Sequence, residues 1–114
     1  MIPRLRTDIW VQALLRRNAA AGRFGAVIHK GAAEAGAVYV IINHLDGTLD
    51  LLGPPPGPAH DEAGDRRFRR EIAPPATQAQ IDAAMARKRR IDPDLWLVEI
   101  EDREGCGGLA PDHD

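Results

Sequence analysis

Apolar residues recur at spacings of three and four through Trp10, Val11, Leu14 and Leu15, just after Thr7 and Asp8, and this predicts an amphipathic helix over about 8–21. Thr7 is placed to cap the first amides, Asp8 to complement the helix dipole, and Gly22 to end the helix in the left-handed region. The period then changes. Residues 24–30, 37–43 and 48–52 are rich in Val, Ile, Tyr and Leu and are separated by glycine-containing turns, which predicts three strands joined as an antiparallel meander. In 37–42 both faces of the strand are apolar, as expected of a central strand.

Pro54, Pro55, Pro56 and Pro58 break the pattern, and 53–65 reads as a long loop. Residues 66–71 are expected to form a short edge strand around Phe68, stopped by Pro74 and Pro75. Thr77 and Gln80 have the spacing of a capping box, and Ile81, Ala84, Met85 and Lys88 follow at helical intervals, so a second helix is expected over 78–91. Asp92 before Pro93 ends it. The closing run Leu95-Trp96-Leu97-Val98-Glu99-Ile100-Glu101 is a strand apolar on both faces, with Trp96, Val98 and Ile100 on one side and Leu95 and Leu97 on the other.

These elements give an α+β class in the order α-β-β-β-(β)-α-β: an antiparallel sheet of four to five strands with two helices packed on one face. The second face of such a sheet would be left apolar, which favours self-association as a homodimer. Residues 1–105 are expected to form a single domain and 106–114 a flexible tail.

The length of 114 residues suits one small core, and five aromatic residues oblige that core to rest on Ile, Leu, Val and Ala. Net charge is −2, from 15 Lys and Arg against 17 Asp and Glu, so the molecule as a whole has no bias toward nucleic acid or anionic membrane. The longest apolar run has six residues, against the ~20 of a spanning helix. The N-terminal stretch is interrupted by Gln12, Arg16 and Arg17 and does not read as a secretory signal. One cysteine, Cys106, rules out an intramolecular disulfide and suits a reducing compartment, so a cytoplasmic location is expected.

Candidate chemistry is sparse. The chain has no serine, and Cys106 has no histidine in fixed register with it, so nucleophilic catalysis is poorly served. His29, His44, His60 and His113 fall in separate segments without metal-ligand spacing, and the glycines lack the strand-loop-helix order of a phosphate cradle, so no metal and no cofactor are expected. Glu99 and Glu101, with His29, could act as acid and base only if they shared a pocket. Two basic runs remain: Arg66, Arg67, Arg69 and Arg70 around Phe68, and Arg87, Lys88, Arg89 and Arg90 at the end of the second helix. Convergence of these runs would create an anion-binding surface suited to phosphate or nucleic acid. Nearby acids and the helix dipole offer a plainer account of them.

Four patches carry a family resemblance: Leu5-Arg6-Thr7-Asp8-Ile9-Trp10-Val11 with Leu15-Arg16-Arg17; Glu34-Ala35-Gly36-Ala37; Leu45-Asp46-Gly47-Thr48 with Leu52-Gly53-Pro54; and 92–103. On these the chain resembles the bacterial domain-of-unknown-function family numbered 1491, small single-domain proteins. The resemblance implies one intact cytoplasmic domain and transfers no activity, cofactor or catalytic residue. The expected function is a non-enzymatic interaction module, recognising a protein partner or a second copy through an exposed sheet face or the Pro-rich loop. Anion or nucleic-acid binding by the two basic runs is the alternative.

Overall fold

The computed structural model describes residues 5–112. Helix α1 (Thr7–Ala20) is followed by strands β1 (Gly25–His29), β2 (Val38–Asn43), β3 (Leu49–Gly53) and β4 (Arg69–Arg70), then helix α2 (Gln78–Ile91) and strand β5 (Trp96–Glu101). The helices start by different devices. In α2 the capping box forms: the Gln80 amide donates to Thr77 Oγ1 at 3.1 Å, and the Thr77 amide donates to Gln80 Oε1 at 2.8 Å. In α1 the cap position is Arg6, with no side-chain cap, which corrects the role expected of Thr7. The first amides, of Thr7 and Asp8, instead donate to the Glu34 and Ala33 carbonyls at 3.4 and 3.0 Å, so backbone does what a side-chain oxygen was expected to do. At the other end Gly22 follows the helix with φ +83°, as expected of its glycine.

The sheet has five strands in the order β1-β5-β2-β3-β4. The expected β2–β3 hairpin is present, but β1 does not pair with β2. β5 lies between them, antiparallel to β1 and parallel to β2, with Val38 opposite Trp96 and Val40 opposite Val98. The simple meander is therefore corrected to a mixed, mostly antiparallel sheet. The physical reason is burial. β5 is the strand most apolar on both faces and takes a central place, whereas β1, with Val27 and Ile28 exposed, is left at the edge.

The two helices lie on opposite faces of the sheet, which corrects their expected placement on one face. Trp10, Val11 and Leu14 of α1 join Val38, Val40, Ile42, Trp96, Val98, Ile100, Leu52 and Phe68 in one cluster. Ile81, Ala84 and Met85 of α2 join Ile41, Leu49, Leu51, Leu95 and Leu97 in the other. Strands apolar on two faces thus find a helix on each, and the bare face from which a homodimer was argued is covered.

Residues 106–112, expected as the start of a flexible tail, are held against the domain. Cys106 and Leu109 pack on the α1-side cluster, Asn18 Nδ2 donates to the Gly107 carbonyl at 3.0 Å, and the Asp112 amide donates to the Phe68 carbonyl at 2.7 Å. Gly107, at φ +64°, lets the backbone turn close over Ile100 and Ile42, where a Cβ would lie 3.1 Å from Ile100 Cδ1. His113 and Asp114 lie outside the described residues.

Candidate functional site

The Pro-rich segment after β3 is ordered by its own backbone. The Arg67 amide donates to the Ala59 carbonyl at 3.0 Å, His60 and Arg66 form an antiparallel bridge, and the Asp65 amide donates to Asp61 Oδ1 at 3.0 Å. The loop folded in this way becomes one wall of a cleft of about 360 Å³, whose opposite wall is the 34–38 segment entering β2. Leu5, Val38, Pro54 and Phe68 give it apolar lining, and His60, Arg66 and Arg67 give it polar groups.

Arg66 is the notable group of this cleft. Its Nη2 donates to Thr7 Oγ1 at 2.7 Å, and its guanidinium lies over the Trp10 ring, 5.4 Å from the centroid. Trp10 is itself held by Phe68, at a ring separation of 5.7 Å. Thr7 Oγ1 passes its own proton to the Gly36 carbonyl at 3.1 Å, which leaves it free to accept from Arg66. Burial pulls the Arg66 pKa below its ordinary value, though a guanidinium remains charged. Among the described residues it forms no ion pair, although Asp61 and Asp65 line an adjoining cleft that Arg66 shares with Trp10.

The other basic residues do not join it on one surface. Arg67 pairs with Asp112 at 2.7 Å. Arg69 and Lys88, one from each run, meet at Glu71, at 3.3 and 3.0 Å, on the α2 side of the sheet. Lys88 also lies 5.0 Å from the Tyr39 ring centroid, and burial raises the Tyr39 pKa despite the opposing charge of Lys88. Arg70 points to the other face, with Nε 3.6 Å from Asp50 Oδ1 and Nη2 3.7 Å from Cys106 Sγ. Arg87, Arg89 and Arg90 are exposed on α2. Convergence of the two runs is thus confined to Glu71, whose one carboxylate Arg69 and Lys88 share.

A second polar centre involves His44, Asp50 and Asp102. His44 follows β2 and Asp102 follows β5, so the parallel pairing brings them together at the carboxyl ends of the two strands. His44 Nδ1 is 2.7 Å from the Asp102 carbonyl and Nε2 is 3.1 Å from Asp50 Oδ2. The Asp102 carbonyl can only accept, so Nδ1 donates to it, and protonation of Nε2 would add a charge-assisted hydrogen bond to Asp50. Burial works to lower the His44 pKa, but the hydrogen bonds to Asp50 and to the Asp102 carbonyl, with the Asp50 charge, raise it above its ordinary value. The Asp102 carboxylate accepts from the amides of Gly105 and Gly107 at 3.1 and 2.9 Å; these donors and Arg23 overcome the effect of burial and hold its pKa down. Burial pushes the Cys106 thiol up, against the opposing charge of Arg70, which disfavours its thiolate form.

The sequence reading missed this centre because His44 reads as a turn residue. The signal that could have found it is Asp50, a carboxylate in the apolar run Leu49-Asp50-Leu51-Leu52 that had to be buried with a partner. His29, Glu99 and Glu101, weighed as acid and base, sit in β1 and β5 and line none of the clefts described. Among the described residues no group of three or more His, Cys, Asp or Glu could hold a metal ion, and no helix is long and apolar enough to cross a membrane.

A five-stranded mixed sheet with one helix on each face, and a cleft walled by a loop, defines a small α+β domain. The chain belongs to the DUF1491 family, proteins of unknown function, whose family model matches residues 5–109. The solution structure of protein Atu0922 from A. tumefaciens is similar at 40% identity and a TM-score of 0.80, with 97% of this chain and 98% of that one covered. The crystal structure of a DUF1491 family protein from Caulobacter crescentus CB15 is similar at 37% identity and a TM-score of 0.77, covering 96% and 98%. An NMR structure of a DUF1491 family protein from the same organism is 38% identical with a TM-score of 0.74, covering 96% of this chain and 97% of that one. No curated protein matches the chain.

Proposed function

We propose that the protein is a non-catalytic binding module that receives the anionic group of a partner in the loop-walled cleft, with Arg66 as its counter-cation. The observation that carries this reading is a half-buried guanidinium, fixed by Thr7 and Trp10, that forms no ion pair among the described residues. A cation withdrawn from water and left without a counter-ion carries a desolvation cost that an incoming carboxylate or phosphate offsets through charge-assisted hydrogen bonds. The apolar wall of Leu5, Val38, Pro54 and Phe68 favours an anion carried on an apolar body, such as a protein side chain or chain terminus, over a bare polyanion. Nucleic-acid binding through the full set of eight basic residues is the weaker reading, since Arg67, Arg69, Arg70 and Lys88 already face carboxylates.

The test is an NMR titration of the labelled protein with sodium hexanoate, inorganic phosphate and a short duplex DNA. Hexanoate is expected to shift amides of 34–38 and 54–68 saturably, and Arg66→Met is expected to abolish the response while the remaining spectrum stays native. Identical titration of wild type and variant, or a response to DNA alone, would defeat the proposal.

A further inference from the structure

β4 is the last strand of the sheet, with β3 on one side of it. The Glu71 amide donates to the Leu51 carbonyl at 2.8 Å and Arg69 lies opposite Gly53, so 69 and 71 turn their backbone groups toward β3 while 68 and 70 turn theirs outward. An edge of this kind is a template for a further strand. Asp112 occupies it. Its amide donates to the Phe68 carbonyl at 2.7 Å, it forms a parallel bridge with Arg69, and its Oδ2 lies 2.7 Å from Arg67 Nη2. The chain thus lays the start of a sixth strand along its own sheet.

The two halves of the segment that reaches this edge are held differently. Residues 102–107 are fixed: the Asp102 carboxylate accepts from the amides of Glu104, Gly105 and Gly107, and Asn18 donates to the Gly107 carbonyl. Beyond Gly108, at φ +80°, the grip is lighter. Leu109 packs on the α1-side cluster, Ala110 is exposed, and Pro111 has no amide to give. Asp112 adds one backbone hydrogen bond and an ion pair whose side chains are 31% and 38% exposed. Each such contact shifts an equilibrium by about fivefold at most. The edge also has a charge preference, since Arg66, Arg67, Arg69 and Arg70 crowd into five residues around Phe68 and Asp112 is the carboxylate this segment brings to them.

We propose that the outer edge of β4 is a strand-addition site for an extended, acidic peptide of a partner protein, and that residues 109–112 are its built-in, displaceable occupant, with Asp112 standing where the partner's carboxylate goes. Main-chain hydrogen bonds to Phe68 and Arg70 supply the pairing in this mode, and Arg67 supplies the selection. A nucleic acid offers no peptide backbone to that edge. A second copy is a poor occupant, because with 102–107 fixed to their own domain residues 108–112 reach about 18 Å at most, a short span for exchange between domains of 41 × 34 × 27 Å. The site does not rest on Arg66 as a counter-cation, although Arg67 and Phe68 also line that cleft.

The experiment is an NMR titration of the full-length protein with a synthetic peptide of the chain's own residues 108–114, the same peptide with Asp112→Lys, and a scrambled isomer. The native-sequence peptide is expected to shift the amides of 66–70 and 109–112 saturably. It is expected to bind Asp112→Ala protein about fivefold more tightly than wild type, since the internal competitor has lost its ion pair. In Arg67→Asp protein the preference is expected to reverse, the Asp112→Lys peptide binding better than the native one, an outcome that misfolding does not produce. Arg66→Met is expected to leave these affinities unchanged, which separates this edge from the anion reading of the cleft. No binding to Asp112→Ala protein, equal affinity of that variant and wild type, equal affinity for the scrambled peptide, shifts centred away from 66–70, or a concentration-dependent dimer abolished by Asp112→Ala would overturn the proposal.

Discussion

His44 sets its two ring nitrogens against groups on two different segments, the Asp50 carboxyl in β3 and the Asp102 carbonyl after β5. The protonated ring therefore ties β3 and the segment after β5 together by two hydrogen bonds, whereas the neutral ring keeps only the one from Nδ1. Its folded pKa is raised above the ordinary value near 6.5, so the stability it contributes is complete below that value and is lost as pH rises through the folded one. Asp46, Arg70, Cys106 and Arg23 also surround this centre and are shared by any variant at His44. Denaturant unfolding measured from about pH 6 to about pH 8.5 is expected to show a fall in stability for the wild type, and His44→Ala is expected to lack that part of the fall. An unchanged pH profile in the variant would show that the ring is not the titrating group.

At the scale of the element, close approach matters as much as periodicity. The segment joining β1 to β2 passes so near the entry to β5 that a Cβ at Gly31 would lie 2.5 Å from the Leu95 carbonyl oxygen, while the Ala32 carbonyl accepts from Trp96 Nε1 at 2.8 Å. Gly31→Ala is expected to destabilise the fold by about 1–3 kcal/mol, as overpacking against backbone does, and thermal unfolding followed by Trp fluorescence measures it. A neutral effect would mean that this junction yields. The contrast with what the sequence discloses is instructive. The α2 bounds and capping box were legible because every determinant lies on one continuous stretch from Thr77 to Pro93. The partner of β1 was not, because β1 and β2 are adjacent in sequence while the strand between them comes from the far end of the chain. The cap of α1 failed for the same reason: the acceptors of its first amides lie in 33–34, and Thr7 is drawn to Arg66. The cleft was half legible. The Pro-rich loop and Arg66 were both singled out, yet nothing local marks Arg66 as the member of its run that forms no ion pair.

Across the whole molecule, two cores share one sheet. Leu14 anchors α1 in one cluster and Ile81 anchors α2 in the other, both about 1% exposed. Because β2, β3 and β5 supply residues to both clusters, loss of packing on either side is felt by the same strands. Leu14→Ala and Ile81→Ala are each expected to cost about 2–4 kcal/mol and to keep a single unfolding transition, with Trp fluorescence and far-UV circular dichroism coincident. Trp10 and Trp96 both belong to the α1-side cluster, so a shift of the fluorescence midpoint in Ile81→Ala reports transmission across the sheet. A biphasic transition would show that the two sides unfold separately.

The position of β5 has a consequence for how the molecule is made. During synthesis α1, β1, β2, β3, β4 and α2 leave the ribosome before the strand that separates β1 from β2, so the nascent chain carries two unpaired apolar edges until residues 96–101 emerge. Pairing β1 directly with β2 in that interval would give a locally satisfied but wrong ribbon, which must open to admit the last strand. The run Leu95-Trp96-Leu97-Val98 is thus the closing piece of the sheet. The short, bulged β1, with its register shift between Val27 and His29, is a poor template for any partner met too early.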